Sequence, residues 1–398
     1  MLHVPPPLRG ADPDSFARST VTSRMPALAR RARLNPEVPA AAHPAIEALA
    51  AELPHAPIRH LDDPHAPDLA GWRSLVDPHA GASWLEVPWL FAEFYLFRRV
   101  LEATGFFGDG PGAGVDPYGP DKEASLAIAE APLRALAEAG LLESPPTAET
   151  LRSLLKASLW GNQADLSLWQ AGEGPGHELI DRDKQLLADD TGAVAAWLAA
   201  AGGRLDMGVV VDNAGEEFTM DLALVDALLR LPPGGRVTLH VKAFPTYVSD
   251  VTPRDVDDTL AAFRASAAPH TRRLAARLDA ALAAGRLLIQ PDPVWAQPHP
   301  FRRLPDGARA TLGRHDFLIF KGDANYRRLL DDSHWPATTP FASIVAYFDT
   351  PLLALRTCKA EVIAGLDAQQ IARLHALDPH WKINGRWAVA QAHGIPGR

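Results

Sequence analysis

The period of the hydrophobic pattern changes near the middle of the chain. Up to about residue 160, apolar residues recur every three or four positions between prolines, which predicts helices at 41–52, 89–104 and 122–139. From about residue 205, short runs rich in Val, Ile and Leu alternate with helix-like stretches. The runs predict strands at 207–211, 237–242, 287–290, 317–321 and 352–356, and the stretches predict helices at 221–231, 255–267 and 271–284.

This alternation predicts crossover connections and a mainly parallel sheet covered on both faces. We therefore expect an α/β fold in which a mostly helical N-terminal domain, residues 1–160, precedes an α/β domain at 161–398. In open α/β sheets, ligands bind beyond the carboxyl ends of the strands. The polar residues that follow the predicted strands are therefore the first candidates for chemistry.

Composition and charge exclude several classes of function. The 398 residues are 47% hydrophobic and carry a net charge of −9, which argues against a nucleic-acid or anionic-membrane partner because both require a dense basic face. The single cysteine cannot form an intramolecular disulfide, and the N-terminal sequence has no secretory pattern. Apolar runs stay well short of the roughly 20 residues that a membrane span needs. We expect a cytoplasmic protein.

Two predicted strands end in acidic or amide side chains. Asp212 and Asn213 follow the strand at 207–211, and Glu217 opens the next helix. Oxygen donors of this kind suit a hard divalent cation, although a turn with a helix cap has the same composition. Asp250 stands just ahead of a helix that Thr252, Pro253 and Asp255 are expected to start, where it could equally be a partner of the helix dipole.

Two further strand ends carry positive charge. Lys321 and Asp323 follow one strand, and Arg356, Thr357 and Lys359 follow the last, where a guanidinium, a hydroxyl and an ammonium could form a compact anion site. Solvated surface charge is the alternative for each residue taken singly. The chain has seven lysines against thirty-two arginines, and three of the seven fall at predicted strand ends: Lys242, Lys321 and Lys359.

Familiar phosphate and hydrolase motifs are absent from the sequence. It contains no G-x-x-x-x-G-K-[ST] loop, no H-E-x-x-H, no glycine fingerprint after a strand and no G-x-S-x-G. Phosphatases with a D-x-D nucleophile would need an acid where Ala214 stands. His299, in a proline-rich loop, is a weaker candidate for chemistry.

An ordered series of segments along most of the chain resembles the metal-dependent damage-control phosphatases, a family also described as acidic-residue methyltransferase-like, and in particular its subgroup with an R-T-x-K motif. The segments that carry the resemblance are 15–20 with 24–26, 89–99 (WLFAEFYLFRR), 159–167, 212–217 (D-N-x-G-x-E), 248–252 (V-S-D-x-T), 298–299, 321–327 (K-G-D-x-N-Y-R) and 356–359 (R-T-C-K). The resemblance implies a helical domain that caps a Rossmann-like three-layer α/β/α domain.

The same resemblance implies a divalent metal ion, Mn²⁺, Co²⁺, Ni²⁺ or Mg²⁺, held by Asp212, Asn213 and Asp250 as catalytic residues. Either aspartate could orient an attacking water or attack phosphorus itself. The substrate-binding residues it implies, together with those that the strand ends suggest, are Glu217, Asn162, Asp165, Lys321, Asp323, Arg356, Thr357, Lys359 and Arg386, the last at a position where the family has lysine.

The sequence therefore predicts a phosphatase acting on small phosphorylated metabolites, with sugar phosphates as the expected class. An S-adenosylmethionine-dependent protein-glutamate carboxyl methyltransferase ranks lower, because no glycine-rich loop follows the first α/β strand. A non-catalytic phosphometabolite-binding protein is the third hypothesis.

Overall fold

A computed structural model describes residues 2–161 and 182–396 of the chain. Within them lies one sheet of seven strands: β1 (Leu186–Asp189), β2 (Asp206–Val210), β3 (Arg236–Lys242), β4 (Leu287–Asp292), β5 (Phe317–Lys321), β6 (Leu352–Thr357) and β7 (Ala388–His393). The five predicted strands are confirmed within two residues. Sequence analysis missed β1 and β7; β7 (AVAQAH) is rich in alanine, which has low strand propensity, and its pairing with β6 holds it in the sheet.

The strand order is β1-β7-β6-β5-β2-β3-β4. Strands β2 to β6 run parallel, whereas β7 pairs antiparallel with β6 and β1 runs parallel to β7. The chain moves outward from β2 through β3 to β4 and then returns to the other side of β2 as β5. The order therefore reverses between β2 and β5, and a crevice opens there at the carboxyl ends of both strands.

Helices account for most of the rest of the described chain. Their bounds are α1 (Phe16–Ser19), α2 (Met25–Arg31), α3 (His43–Glu52), α4 (Leu69–Val76), α5 (Trp89–Thr104), α6 (Gly119–Ala127), α7 (Glu130–Glu138), α8 (Ala148–Trp160), α9 (Thr191–Ala201), α10 (Glu216–Leu229), α11 (Pro253–Ala265), α12 (Pro269–Ala283), α13 (Asp306–Leu312), α14 (Gly322–Leu329), α15 (Phe341–Ile344) and α16 (Ala368–Leu377). The single helix expected at 122–139 is two helices, α6 and α7. Pro132 explains the break, because it has no N–H to give to the carbonyl of Ile128.

Each face of the sheet has its own hydrophobic cluster. Val210 and Leu318 point into a cluster that includes the N-terminal aromatics, such as Trp89 on α5. Their neighbours Val209 and Ile319 point to the opposite face, into a cluster formed with α8, α10 and α12. This alternation is the two-residue period of a strand, and it produces the expected three-layer α/β/α arrangement. The division into domains at residue 160 stays a prediction.

In the part of the chain that the structure describes, none of the helices combines the length and the apolar character needed to cross a membrane.

Candidate metal and phosphate site

The loops after β2 and β3 fold back on each other at the switch point of the sheet. Asn213 and Asp250 form an isolated antiparallel bridge. On either side of it, the N–H of Ala214 donates to the carbonyl of Ser249 (2.6 Å) and the N–H of Val251 donates to the carbonyl of Asp212 (2.9 Å). Because these are backbone bonds, they fix where the two loops meet. They bring Asp212, Asn213 and Asp250 together, although Asp250 lies 38 positions after Asp212 in the sequence.

A glycine allows the first turn of α14 to approach Asp212. Gly322 has φ +85°, and a Cβ added there would lie 1.8 Å from Asp212 Oδ2. Any larger residue would therefore both strain the backbone and collide with the carboxylate. This contact places the end of β5 directly beside the end of β2.

Hydrogen bonds fix the orientation of the Asn213 amide. Its Nδ2 donates to Asp212 Oδ2 and to Glu217 Oε2, each at 2.8 Å, and Ser249 Oγ donates to its Oδ1 at 2.6 Å. The amide nitrogen therefore faces the carboxylates, and the amide oxygen points towards Ser249. Glu217 acts on the site through Asn213.

The carboxylates of the site are buried and close to one another. Asp212 is 8% exposed and Asp250 is 2% exposed. Burial raises the pKa of Asp212 well above its usual range, and the charges of Glu217 and Asp250 raise it further. Burial also raises the pKa of Asp250, although Lys242 Nζ lies 3.1 Å from its Oδ2.

These residues fit a divalent cation. Burial and mutual repulsion disfavour the ionised carboxylates, and a cation between Asp212 and Asp250 would relieve both effects. Two carboxylates and an amide oxygen are hard donors of the kind that Mg²⁺ and Mn²⁺ accept. Among the described residues, no group of three or more His, Cys, Asp or Glu is placed to hold a metal. Asn213 Oδ1 would join Asp212 and Asp250 after the amide turns away from Ser249, because its Nδ2 faces the carboxylates in this structure.

Lys321 lies beneath the site and not in it. Its Nζ donates to the carbonyl of Ser158 (2.6 Å) and is 3.2 Å from Glu217 Oε1 and 3.0 Å from Asp221 Oδ1. Burial opposes the charge, but Asp221 and Glu217 outweigh it and raise the pKa of Lys321. The chain of contacts from Asp221 through Lys321 to Glu217 ends at the Asn213 amide.

The R-T-C-K segment is organised around Asp323. Arg356 Nε donates to Asp323 Oδ1 at 2.7 Å, and the backbone N–H of Lys359 donates to the same oxygen at 3.1 Å. The Arg356 guanidinium is fully buried and also binds the carbonyls of Ala360 and Val362. Arg356 thus shapes the loop, whereas the Lys359 side chain lines the cavity described next.

A cavity of about 240 Å³ joins these residues to the helical N-terminal layer. Asp212, Asn213, Asp250, Asp323 and Lys359 form its floor. The opposite wall comes from the first hundred residues and the loop after β3, and it includes Phe16, Arg24, Met25, Leu28, Trp89, Glu93, Phe97 and Tyr247, with Arg327 from α14.

Sequence analysis did not single out the residues of this wall as site residues. Most of them fall in segments that carried the family resemblance, at 15–26 and 89–99, but their patterns are those of ordinary amphipathic helices. Nothing in a helical period shows which apolar face meets the core and which meets a ligand. Only the packing of the helices over the sheet shows which apolar face lines the cavity.

Comparison with known proteins shows the family to which the chain belongs. The model of the damage-control phosphatase ARMT1-like domain matches residues 18–374, nearly the whole chain. The chain belongs to the ARMT1-like damage-control phosphatase family. Damage-control phosphatase ARMT1 of zebrafish (Danio rerio) is 30% identical over 367 residues, which cover 84% of this chain and 81% of that protein. The mouse (Mus musculus) protein is 32% identical over 346 residues, which cover 81% and 78%.

A solved structure supports the fold. A DUF89 family protein from Pyrococcus horikoshii superposes with a TM-score of 0.51 over 94% of this chain and 96% of its own, at 12% sequence identity. Membership in the damage-control phosphatase family supports a phosphatase that acts on phosphorylated metabolites.

The other site residues predicted from the sequence of this family member do not line the cavity or lie outside the described residues. Thr357 ends β6 and is 7% exposed, and Arg386 is exposed and does not line the cavity. Asn162 and Asp165 lie outside the described residues. His299 lines a separate cavity, where burial and Arg328 lower its pKa to about 4.

Proposed function

We propose that this protein is a metal-dependent phosphatase that hydrolyses small phosphorylated metabolites, with sugar phosphates as its substrate class. One juxtaposition carries the proposal. The hard oxygen donors Asp212, Asn213 and Asp250 share a small cavity with the ammonium group of Lys359. In the described ranges, Lys359 Nζ has no hydrogen bond or ion pair with another residue, so it is available to an anion.

Each residue of the site has a separate role in the proposed phosphate hydrolysis. Asp212, Asn213 and Asp250 would hold the metal ion, which when bound supplies Lewis-acid polarisation of the phosphoryl group. Lys359 neutralises charge on the phosphoryl oxygens, and it does so most strongly in the low-dielectric floor of the cavity. Asp323 accepts a hydrogen bond from the Lys359 backbone N–H, which fixes the point from which the side chain extends into the cavity.

The far wall of the cavity suits the organic part of such a substrate. Phe16 and Leu28 present apolar surface, with the buried Met25 and Phe97 behind them, while Glu93 supplies a polar group. A cavity of about 240 Å³ is smaller than the roughly 300–1,000 Å³ of typical ligand pockets, which favours one sugar phosphate over a nucleotide. Aromatic and aliphatic surface packs on the C–H faces of a sugar, and Lys359 on the floor would receive its phosphate, next to the residues that would hold the metal ion.

Phosphate release from a panel of sugar phosphates tests the proposal. Activity should require added Mn²⁺, Co²⁺, Ni²⁺ or Mg²⁺, disappear with EDTA, and be lost in Asp250→Asn at a temperature at which that variant remains folded. Arg254→Ala, an exposed change four residues away, is the matched control. Metal-independent release, or full activity in Asp250→Asn, would overturn the proposed site. Methyl transfer from S-adenosylmethionine without phosphate release would favour the methyltransferase hypothesis.

A further inference from the structure

The first helical segment is interrupted beside the cavity. Between α1 and α2, residues Thr20–Arg24 form a π-helical turn, and the N–H of Met25 donates to the carbonyl of Thr20, five residues back. Pro26 gives a reason, because it has no N–H for the carbonyl of Thr22 and so removes one bond from the regular ladder. Single π turns of this kind are frequent at functional sites.

The residue that ends this turn is an arginine at the mouth of the cavity. Arg24 is exposed and lines the cavity, whereas Met25 beside it is fully buried. Burial raises the pKa of Glu93 on the same wall, and the charge of Arg327 and, less strongly, that of Arg24 oppose this rise. The π turn thus ends in a cation that lines the cavity.

Arg24 differs from the other arginines of its segment. Five arginines lie between residues 16 and 33. Four of them bind elsewhere in the protein: Arg18 to the Gly10 carbonyl, Arg30 and Arg33 to Glu47, and Arg31 to Asp121. Arg24 makes no hydrogen bond or ion pair with any residue in 2–161 or 182–396.

The other cations near the floor are already engaged. Arg327 binds Glu93 and Asp332, and Lys242 lies 3.1 Å from Asp250. In the described part of the cavity lining, Arg24 and Lys359 are thus the two cationic side chains without an ionic partner. A phosphate monoester is a dianion near neutral pH, and a guanidinium presents a planar fork of donors that matches its oxygens.

We infer that Arg24 is a substrate-binding residue that binds the phosphate group from the helical wall, opposite Lys359 in the loop after β6. This inference rests on the proposed phosphatase function and extends its site to the N-terminal layer. It gives that layer a direct part in anion binding beyond covering the sheet.

Binding of inorganic phosphate, the reaction product, tests the role of Arg24 without turnover. Phosphate is titrated calorimetrically into the full-length protein saturated with Mg²⁺. Arg24→Ala should weaken phosphate binding about tenfold or more, as expected for loss of a charge-assisted contact, and Arg24→Lys should recover part of it. Arg30→Ala, on the same segment but paired with Glu47 away from the cavity, should bind like the wild type.

The outcomes separate the two claims. Arg24→Ala should also raise KM for sugar phosphates more than it lowers kcat, with an unchanged melting temperature, because Arg24 has no bond within the described protein to lose. Phosphate binding in Arg24→Ala within about twofold of the wild type would overturn the role of Arg24 and leave the phosphatase proposal standing. Absence of phosphate binding and of phosphate release in the metal-saturated wild type would overturn both.

Discussion

Replacing Lys321 by methionine should lower the free energy of unfolding, because Lys321 lies beneath the site and not in it. The ammonium is 1% exposed and lies 3.2 Å from Glu217 and 3.0 Å from Asp221, two carboxylates that are themselves buried. Methionine nearly matches the lysine side chain in length but leaves both acids without a counter-ion. Breaking a buried ion pair from one side costs about 3–5 kcal/mol. A natural domain is stable by only about 5–15 kcal/mol, so the loss is a large fraction.

The pH dependence of this loss follows from Asp221. Burial raises the pKa of Asp221 to about 6 in the native protein, above its ordinary value of 3.8. Lys321 lowers this pKa, so in Lys321→Met Asp221 takes up a proton at a higher pH than in the native protein. At pH 5 Asp221 is neutral in both proteins and part of the penalty disappears, so Lys321→Met should be more damaging at pH 8 than at pH 5. The double variant Lys321→Met with Asp221→Asn should recover about 1 kcal/mol or more at pH 8, because one uncompensated charge is gone.

Chemical denaturation followed by tryptophan fluorescence measures these differences, with the slope m compared between variants. An exposed change, Lys184→Met, serves as the matched control. A free energy of unfolding for Lys321→Met within about 1 kcal/mol of the wild type, or an equal loss at both pH values, would refute the reasoning.

Three further outcomes are expected. Lys359→Ala should lower kcat/KM for sugar phosphates about tenfold or more, from the loss of one charge-assisted contact, whereas Lys184→Ala should not; equal effects would contradict the anion site. Burial and His315 lower the pKa of His240 to about 3. The unfolded chain therefore binds a proton at His240 more readily than the folded protein does. The free energy of unfolding should be highest above about pH 6.5 and should fall as the pH drops towards 3. His240→Gln should flatten this acid limb of the unfolding curve, and an unchanged limb would count against it. Mn²⁺ at about 100 times its dissociation constant should stabilise the protein by about 2.7 kcal/mol, reversibly with EDTA, and should not stabilise Asp250→Asn.

Two helices show which features the local sequence pattern can predict. The helix expected at 89–104 is found as Trp89–Thr104, because its apolar period, the preceding proline and the following Gly105 all act within a few residues. The capping box expected at Thr252 and Asp255 is also present. Such features need no information from distant parts of the chain.

The lysines at the strand ends show where local pattern stops. In the sequence Lys242, Lys321 and Lys359 look alike, each a lone ammonium after a buried strand. In the structure Lys242 pairs with Asp250, Lys321 is locked between Glu217 and Asp221, and only the Lys359 side chain lines the cavity without an ionic partner in the described chain. Arg386, expected at the site on the basis of resemblance, lies exposed and does not line the cavity.

The sequence by itself determined most of the elements and supplied the candidate site residues, because hydrophobic period, helix caps and strand-end residues are local properties of the chain. The tertiary structure alone decided which charges meet. Backbone bonds between the loops after β2 and β3 join Asp212, Asn213 and Asp250, and the packing of the first helical segment over the sheet places Arg24 at the same cavity. A charge acts through the groups that surround it, and those groups come from parts of the chain that only folding brings together.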